Sequence, residues 1–286
     1  MKKFIFILSV SLILAGCNSQ KTNYAMISEM NNLHPIEIIY FNDKTANEIG
    51  AFPIDRKYYA EILEVIEESS PKAVILKFFF DSITESDQIL HNSISRYNNV
   101  FTQTTSFLLP ERPAELEQIK KLSLQNFEIS GISSFDSILL PNSYIIDDFA
   151  GIGFVDIVTD ENYYKNYPIV SKVGDFCLPS LALSISRYIT DAEPIFDNDE
   201  LILGDKSFSA PNGYLRIDLS KPGGVYNTHS FIDILNKTDE IDFRNKIVII
   251  YIDNPDVNRI SSEYNMVHNN AEIIADTINT MLKGLE

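Results

Sequence analysis

The 286-residue sequence has no tryptophan and only two cysteines, Cys17 and Cys177. Two cysteines cannot build a disulfide framework. Without tryptophan there is no obvious aromatic cage, so carbohydrate stacking has no support. Eleven glycines and 12 prolines are too few for a low-complexity or collagenous chain. Cations are scarce: 23 Lys and Arg stand against 40 Asp and Glu, a formal charge of −17. That balance argues against nucleic acid as a partner, since a polyanion is bound by clustered Lys and Arg. The four histidines, His34, His91, His229 and His268, show no metal-ligand spacing, and no H-E-x-x-H or G-x-S-x-G motif is present. Gly151-Ile152-Gly153 lacks the third glycine of a dinucleotide fingerprint. Asp197-Asn198-Asp199-Glu200 lacks the glycine and terminal Glu of a calcium loop. No catalytic residue, cofactor or metal is expected, and the chain does not read as an enzyme. What remains, 45% apolar and 22% charged residues, is the composition of a globular protein.

The N-terminus carries an address. Lys2 and Lys3 precede an apolar stretch from Phe4 to Leu14. It is shorter than the roughly 20 residues that span a bilayer and fits the apolar region of a secretory signal. It ends in Leu14-Ala15-Gly16-Cys17, which resembles the lipobox of bacterial lipoproteins. By that resemblance residues 1–16 are a signal peptide, and Cys17 carries acyl chains of the palmitate class on its sulfur and α-amine. Loss of 16 of the 286 residues leaves 270, and loss of Lys2 and Lys3 takes the formal charge from −17 to −19. Several acyl chains anchor stably, because each buried methylene contributes about 0.8 kcal/mol. Asn18 is not the Asp of an inner-membrane retention signal, which leans towards the outer membrane. No later run reaches 18 apolar residues, so nothing after Cys17 is expected to cross a membrane. Cys177, between Phe176 and Leu178, reads as a buried, inert thiol.

Residues 17–33 are polar and aperiodic, a tether. Beyond them, apolar runs of strand length alternate with helical periodicity. Strands are expected at Ile36–Phe41, Ala73–Phe80, Val100–Thr104, Gly151–Thr159, Ile169–Val173 and Lys246–Ile252. Helices are expected after the cap residue Asp55 through Ser69, over Asp87–Tyr97, within Pro110–Leu124, over Pro179–Thr190 with Pro179 in the first turn, over Ser230–Asn236 and over Asn269–Leu282. Asp191–Glu200 reads as an acidic loop, Leu201–Leu219 as short strands broken at Pro211-Asn212-Gly213, and Pro222-Gly223-Gly224 as a turn. The fold class is α/β: a single domain with a largely parallel central sheet flanked by helices, and a smaller antiparallel strand region in the C-terminal half.

Three expected parallel strands end in Asn42-Asp43, Asp81 and Asp253-Asn254. Ligands of open α/β sheets bind outside the carboxyl ends of the strands. Converging carboxylates there would hold a divalent cation or a cationic ligand group. Asp and Asn also start turns by bonding their own backbone, which accounts for the same residues without any ligand.

Phe52-Pro53-Ile54-Asp55-Arg56 stands before a helix, Ser70-Pro71-Lys72-Ala73-Val74-Ile75 opens a strand, and Phe78–Phe80 with Asp81 follows. Asp87-Gln88-Ile89-Leu90, Gly153-Phe154-Val155-Asp156, Tyr167-Pro168-Ile169, Leu178-Pro179-Ser180-Leu181-Ala182-Leu183 and Phe243-Arg244-Asn245-Lys246-Ile247-Val248 come next. This order of motifs and elements bears a resemblance to the CHASE group of extracellular sensor domains, the second of its named types. It covers residues 34–286 in outline. Lys77 stands where the family usually has Asp in the second strand. The family's D-G-x-x-R turn is replaced by Asp160-Glu161-Asn162-Tyr163-Tyr164-Lys165, and its late H-A by Ile274-Ala275.

The resemblance implies a sensor or ligand-binding module. Such domains usually sit outside the membrane on a signalling protein; here a lipid stands in place of transmembrane helices. The module would act through an envelope or membrane-spanning signalling partner. Its ligand-binding candidates are Asp43, Arg56, Asp81, Asp87 and Asp253. A structural or interaction lipoprotein of the envelope, keeping the fold without a ligand, is the alternative. A metal-assisted hydrolase would require Asp43, Asp81 and Asp253 to converge.

Overall fold

The computed structural model describes residues 35–107, 116–125, 131–132, 134–156, 166–197, 199–217, 226–238, 240–253, 259–261 and 267–283. The signal peptide, Cys17 and the tether lie outside them, as do residues 157–159 of one expected strand and the turn at Pro222–Gly224.

Six strands form one all-parallel sheet: β1 (Ile36–Phe41), β2 (Ala73–Lys77), β3 (Val100–Thr104), β4 (Gly151–Phe154), β5 (Asn227–Ser230) and β6 (Ile247–Ile252), in the order β5–β1–β6–β2–β3–β4. Among the described residues seven α-helices accompany it: α1 (Asp43–Ile49), α2 (Arg56–Glu67), α3 (Asp87–Ile94), α4 (Leu116–Leu122), α5 (Leu181–Thr190), α6 (Phe231–Leu235) and α7 (Asn270–Lys283). Both faces of the sheet are covered, which is why β2 and β6 are almost uninterrupted apolar runs. On one face Ile38, Ile75, Phe101 and Ile249 pack with Leu181 and Ile185 of α5 and Ile274 and Ile278 of α7. On the other, Ile39, Leu76, Val248 and Ile250 pack with Tyr59, Ile62 and Leu63 of α2 and Leu90 and Ile94 of α3. Small antiparallel sheets lie in the C-terminal half, among them Ile195–Asp197, Glu200–Leu203 and Lys206–Ser209.

Helix starts follow the side-chain chemistry of caps. Asn42 accepts from the Thr45 N–H at 3.0 Å, Asp55 from Lys57 at 2.9 Å and Ser180 from Leu183 at 3.2 Å. Asn269 and Glu272 bond each other's backbone N–H reciprocally, at 2.8 and 2.9 Å, a capping box that opens α7.

Three expectations need correction, and one helix was not expected. The second strand ends at Lys77, not Phe80: the Phe78 N–H turns back to the Leu76 carbonyl at 2.9 Å, and the Thr102 hydroxyl donates to Leu76 O and Phe78 O. Pro179 is not in the first turn of a helix. It ends the strand Phe176–Pro179, which pairs with Val170–Val173, and the helix starts only after Ser180. The acidic loop Asp191–Glu200 contains the strand Ile195–Asp197, whose partner begins at Glu200. Finally, Asp43 starts the short helix α1, which its weak apolar pattern had hidden.

Candidate functional site at the carboxyl ends of the strands

Parallel strands point their carboxyl ends to one side of the sheet, and the candidate residues follow β1, β2 and β6 there. Asp43 is exposed in the first turn of α1. Asp81 is exposed beyond β2. Asp253 follows β6, where its N–H donates to Phe41 O at 3.1 Å. These carboxylates are not brought together: among the described residues no group of three or more His, Cys, Asp or Glu is placed to hold a metal ion. The neighbouring Asn42 is used locally. Besides capping α1 it accepts from the Thr45 hydroxyl at 3.0 Å and the Ser230 hydroxyl at 3.1 Å.

Arg56 and Asp87, by contrast, do meet. Arg56 is the first residue of α2, Asp87 the first of α3, and both side chains are buried. The Arg56 Nε donates to Asp87 Oδ1 at 3.2 Å, and a terminal nitrogen donates to Ser82 O at 3.2 Å. The guanidinium carbon lies 4.5 Å from the centroid of the Phe80 ring. Asp87 also accepts from the Thr84 N–H at 2.9 Å, the Thr84 hydroxyl at 3.0 Å and the Asn142 amide at 3.0 Å. Asn142 donates in turn to Phe80 O and Ser82 O. Buried charges are tolerated when such a shell is complete. Here every strong acceptor position of Asp87 is occupied by protein, so the cluster clamps the segment between β2 and α3.

A second polar feature lies across the sheet, on the α5–α7 face. Tyr40 of β1 is in register with Tyr251 of β6, and Tyr251 with Lys77 of β2. Gln103 follows Thr102, the partner of Leu76, and so stands level with Lys77. Gln103 in turn is in register with Gly153 of β4. Side chains alternate between faces along a strand, and Tyr251, with Ile75 and Phe101 two residues before Lys77 and Gln103, belongs to the α5–α7 cluster. The last pleat of the sheet on this face is therefore polar.

Lys77 is 8% exposed and Gln103 4%. No described residue forms an ion pair or hydrogen bond with the Lys77 amine, and the Gln103 amide oxygen is buried without a donor. Burial lowers the Lys77 pKa to about 8, with no charged neighbour contributing. The row ends at α5. A Cβ on Gly153 would sit 2.3 Å from the Leu181 backbone, so only glycine lets the first turn of α5 lie against the sheet. The buried Tyr167 hydroxyl lies beside Ser180 and Ala182 at the same turn, and desolvation raises its pKa.

At the opposite end of the sheet is a cleft of about 880 Å³, lined among others by Lys72, Phe101, Lys121, Gly151, Arg187 and Tyr188. Two of its cations are engaged on the surface, Lys121 with Asp147 at 3.2 Å and Arg187 with Glu193. Neither this cleft nor the Lys77–Gln103 pair was legible in sequence as a site. The available signal for the pair was the single charge inside an apolar strand, Lys77. Cys177 is buried and in no disulfide, as its neighbours implied.

A family model described as the CHASE2 domain matches residues 5–285, nearly the whole chain. The chain therefore belongs to the CHASE2 family of extracellular sensor domains. No curated protein and no solved structure matches it. No helix among the described residues is long and apolar enough to cross a membrane.

Proposed function

We propose that this chain is a lipid-anchored extracytoplasmic sensor or ligand-binding module of the bacterial cell envelope. It is held in the outer membrane, facing the periplasm, through acyl chains on Cys17, and acts by changing its contacts with an envelope or membrane-spanning signalling protein. The observation that carries the reading is the family match over residues 5–285, joined to a lipobox at Leu14–Cys17. The chain is a binding module, not an enzyme, and uses no cofactor. The clamp supports a relay: Arg56, Asp87 and Asn142 fix the β2–α3 segment, which exposes Phe79, Ile83 and, on α3, Ile89. A segment that presents apolar side chains from a rigid base suits protein contact.

The test has two parts. Growth with an alkyne-tagged palmitate should label the wild type and not Cys17→Ala, and Cys17→Ala should leave the membrane fraction. Photo-cross-linking from Ile83 in intact cells should then capture one dominant envelope protein. An unlabelled wild type would remove the anchor, and the absence of any adduct would remove the relay.

A second reading, an interaction lipoprotein that keeps the fold without binding a ligand, is favoured by one observation. Of the polar residues expected at the strand ends, Arg56 and Asp87 are consumed by each other and the rest stay apart. A captured partner whose binding is indifferent to every small molecule would establish it.

A further inference from the structure

The unsatisfied groups at the carboxyl end define the ligand chemistry of the sensor proposed above, and the inference rests on that reading. Lys77 presents a cation with no ion pair or hydrogen bond among the described residues. Its neighbour Gln103 presents an amide oxygen that is fully buried and has no donor among the described residues. Next in the row, across Gly153, stands the first turn of α5, a helix of 10 residues whose N-terminal dipole end is positive. The Tyr167 hydroxyl, buried beside Ser180 and Ala182, adds a fourth polar group at that turn. Among the described residues the acid acting on Tyr167 is Asp156, which is already engaged by the Thr105 hydroxyl and by the Ser106 N–H at 2.9 Å. Burying a charge and an amide without partners costs stability. A nine-tenths-buried lysine beside a buried, unpaired amide oxygen, at the end of a sheet where ligands of this architecture bind, marks a candidate site.

We propose that Lys77, Gln103 and the first turn of α5 form a binding site for a small oxyanion that carries its own hydroxyl, a hydroxycarboxylate or hydrogen phosphate. The chemistry follows from the donor set. The Lys77 ammonium pairs with the anionic oxygen, and backbone N–H groups at a helix start favour the same charge. The Gln103 amide oxygen accepts the ligand hydroxyl, and a ligand lacking that donor leaves the oxygen unpaired. Binding then neutralises the buried Lys77 charge, so it tightens the end of the sheet where β2 passes into the clamped β2–α3 segment.

The experiment is a thermal-shift series on the full chain in detergent. A soluble form starting at Asn18, which retains all of the compact unit Pro35–Glu286, runs in parallel. The probes are lactate, malate and citrate against acetate and succinate, and inorganic phosphate against sulfate, at constant ionic strength. Neutral metabolites and divalent cations form a separate arm. A hydroxyl-bearing oxyanion at about one hundred times its Kd should raise the melting temperature by about 5–10 °C. Lys77→Met should fold, melt no lower than the wild type, and lose the shift. Gln103→Leu should keep a shift but lose the preference of malate over succinate. The carboxylate and phosphate series separate the two sources of the anion. A shift of equal size in Lys77→Met overturns the assignment. A response confined to neutral metabolites or cations also overturns it and leaves the sensor reading standing. A flat response to every probe overturns it and moves the sensor reading to its cross-linking test.

Discussion

The sheet buries a basic residue on each of its faces, and the protein treats the two oppositely. Arg56, on the α2–α3 side, has an acid, a carbonyl and an aromatic face around it. Lys77, on the α5–α7 side, has no ion pair or hydrogen bond among the described residues. The difference separates architecture from readiness to bind. A buried charge whose shell is complete contributes rigidity, and its removal leaves its partners stranded. A buried charge with an empty shell costs stability and is retained where something else supplies the shell. The amine end of Lys also suits a variable partner, being a compact charge whose pKa moves with burial, whereas the Arg fork suits a fixed one.

Substitutions sharpen the contrast, and the largest effect belongs to the clamp. Asp87→Ala leaves Arg56 buried without its acid, and it should lower stability by about 3–5 kcal/mol, read from urea denaturation. Lys77→Met should act in the opposite direction. The unfolded chain keeps this proton up to about pH 10.5, while the folded one releases it at about 8. Wild-type stability should therefore rise between pH 8 and 10.5 by about 3 kcal/mol, and the methionine variant should already have most of that gain at pH 7. Gly153→Ala drives a methyl into the Leu181 backbone, so α5 must shift at a cost of about 1–3 kcal/mol, measured the same way.

A third buried charge, Glu37 on β1, acts in the acid range. Burial alone would raise its pKa. His229, Lys246 and Asn227, at 2.7, 2.6 and 3.2 Å, hold it down at about 2. Its carboxylate contributes stability that is fully present above about pH 4.5 and is lost as pH falls towards 2. Glu37→Gln should flatten that part of the acid-denaturation curve. Smallest of all is Asp43→Ala. An exposed acid in the first turn of a seven-residue helix is worth no more than about 0.3–1 kcal/mol. It should leave any ligand response intact.

The sequence carried the α/β class because its two signals were strong. The last buried strand is apolar on both faces, Ile36–Phe41 is nearly so, and Asp55 and Ser230 fall at helix starts. It was less clear where elements were short or ended by side-chain chemistry. Helix α1 exists because Asn42 caps it, and β2 stops where Thr102 takes its carbonyls. For the site, sequence brought out five polar residues near strand ends, and two of these, Arg56 and Asp87, lie in contact. Adjacency across strands was not legible: Lys77 and Gln103 are 26 residues apart in sequence and become neighbours only through the β2–β3 register. Nor could composition show which buried charge lacks a partner, because that depends on what does not reach it.

The most direct test of the account is an NMR titration of the Lys77 side chain, assigned by comparison with Lys77→Met, in protein freed of small molecules by dialysis. The Lys77 Cε signal should titrate near pH 8 and move to higher pH when malate or phosphate is added. A titration near 10.5, unchanged by either anion, would mean that Lys77 is solvated or paired, and the oxyanion site would be gone.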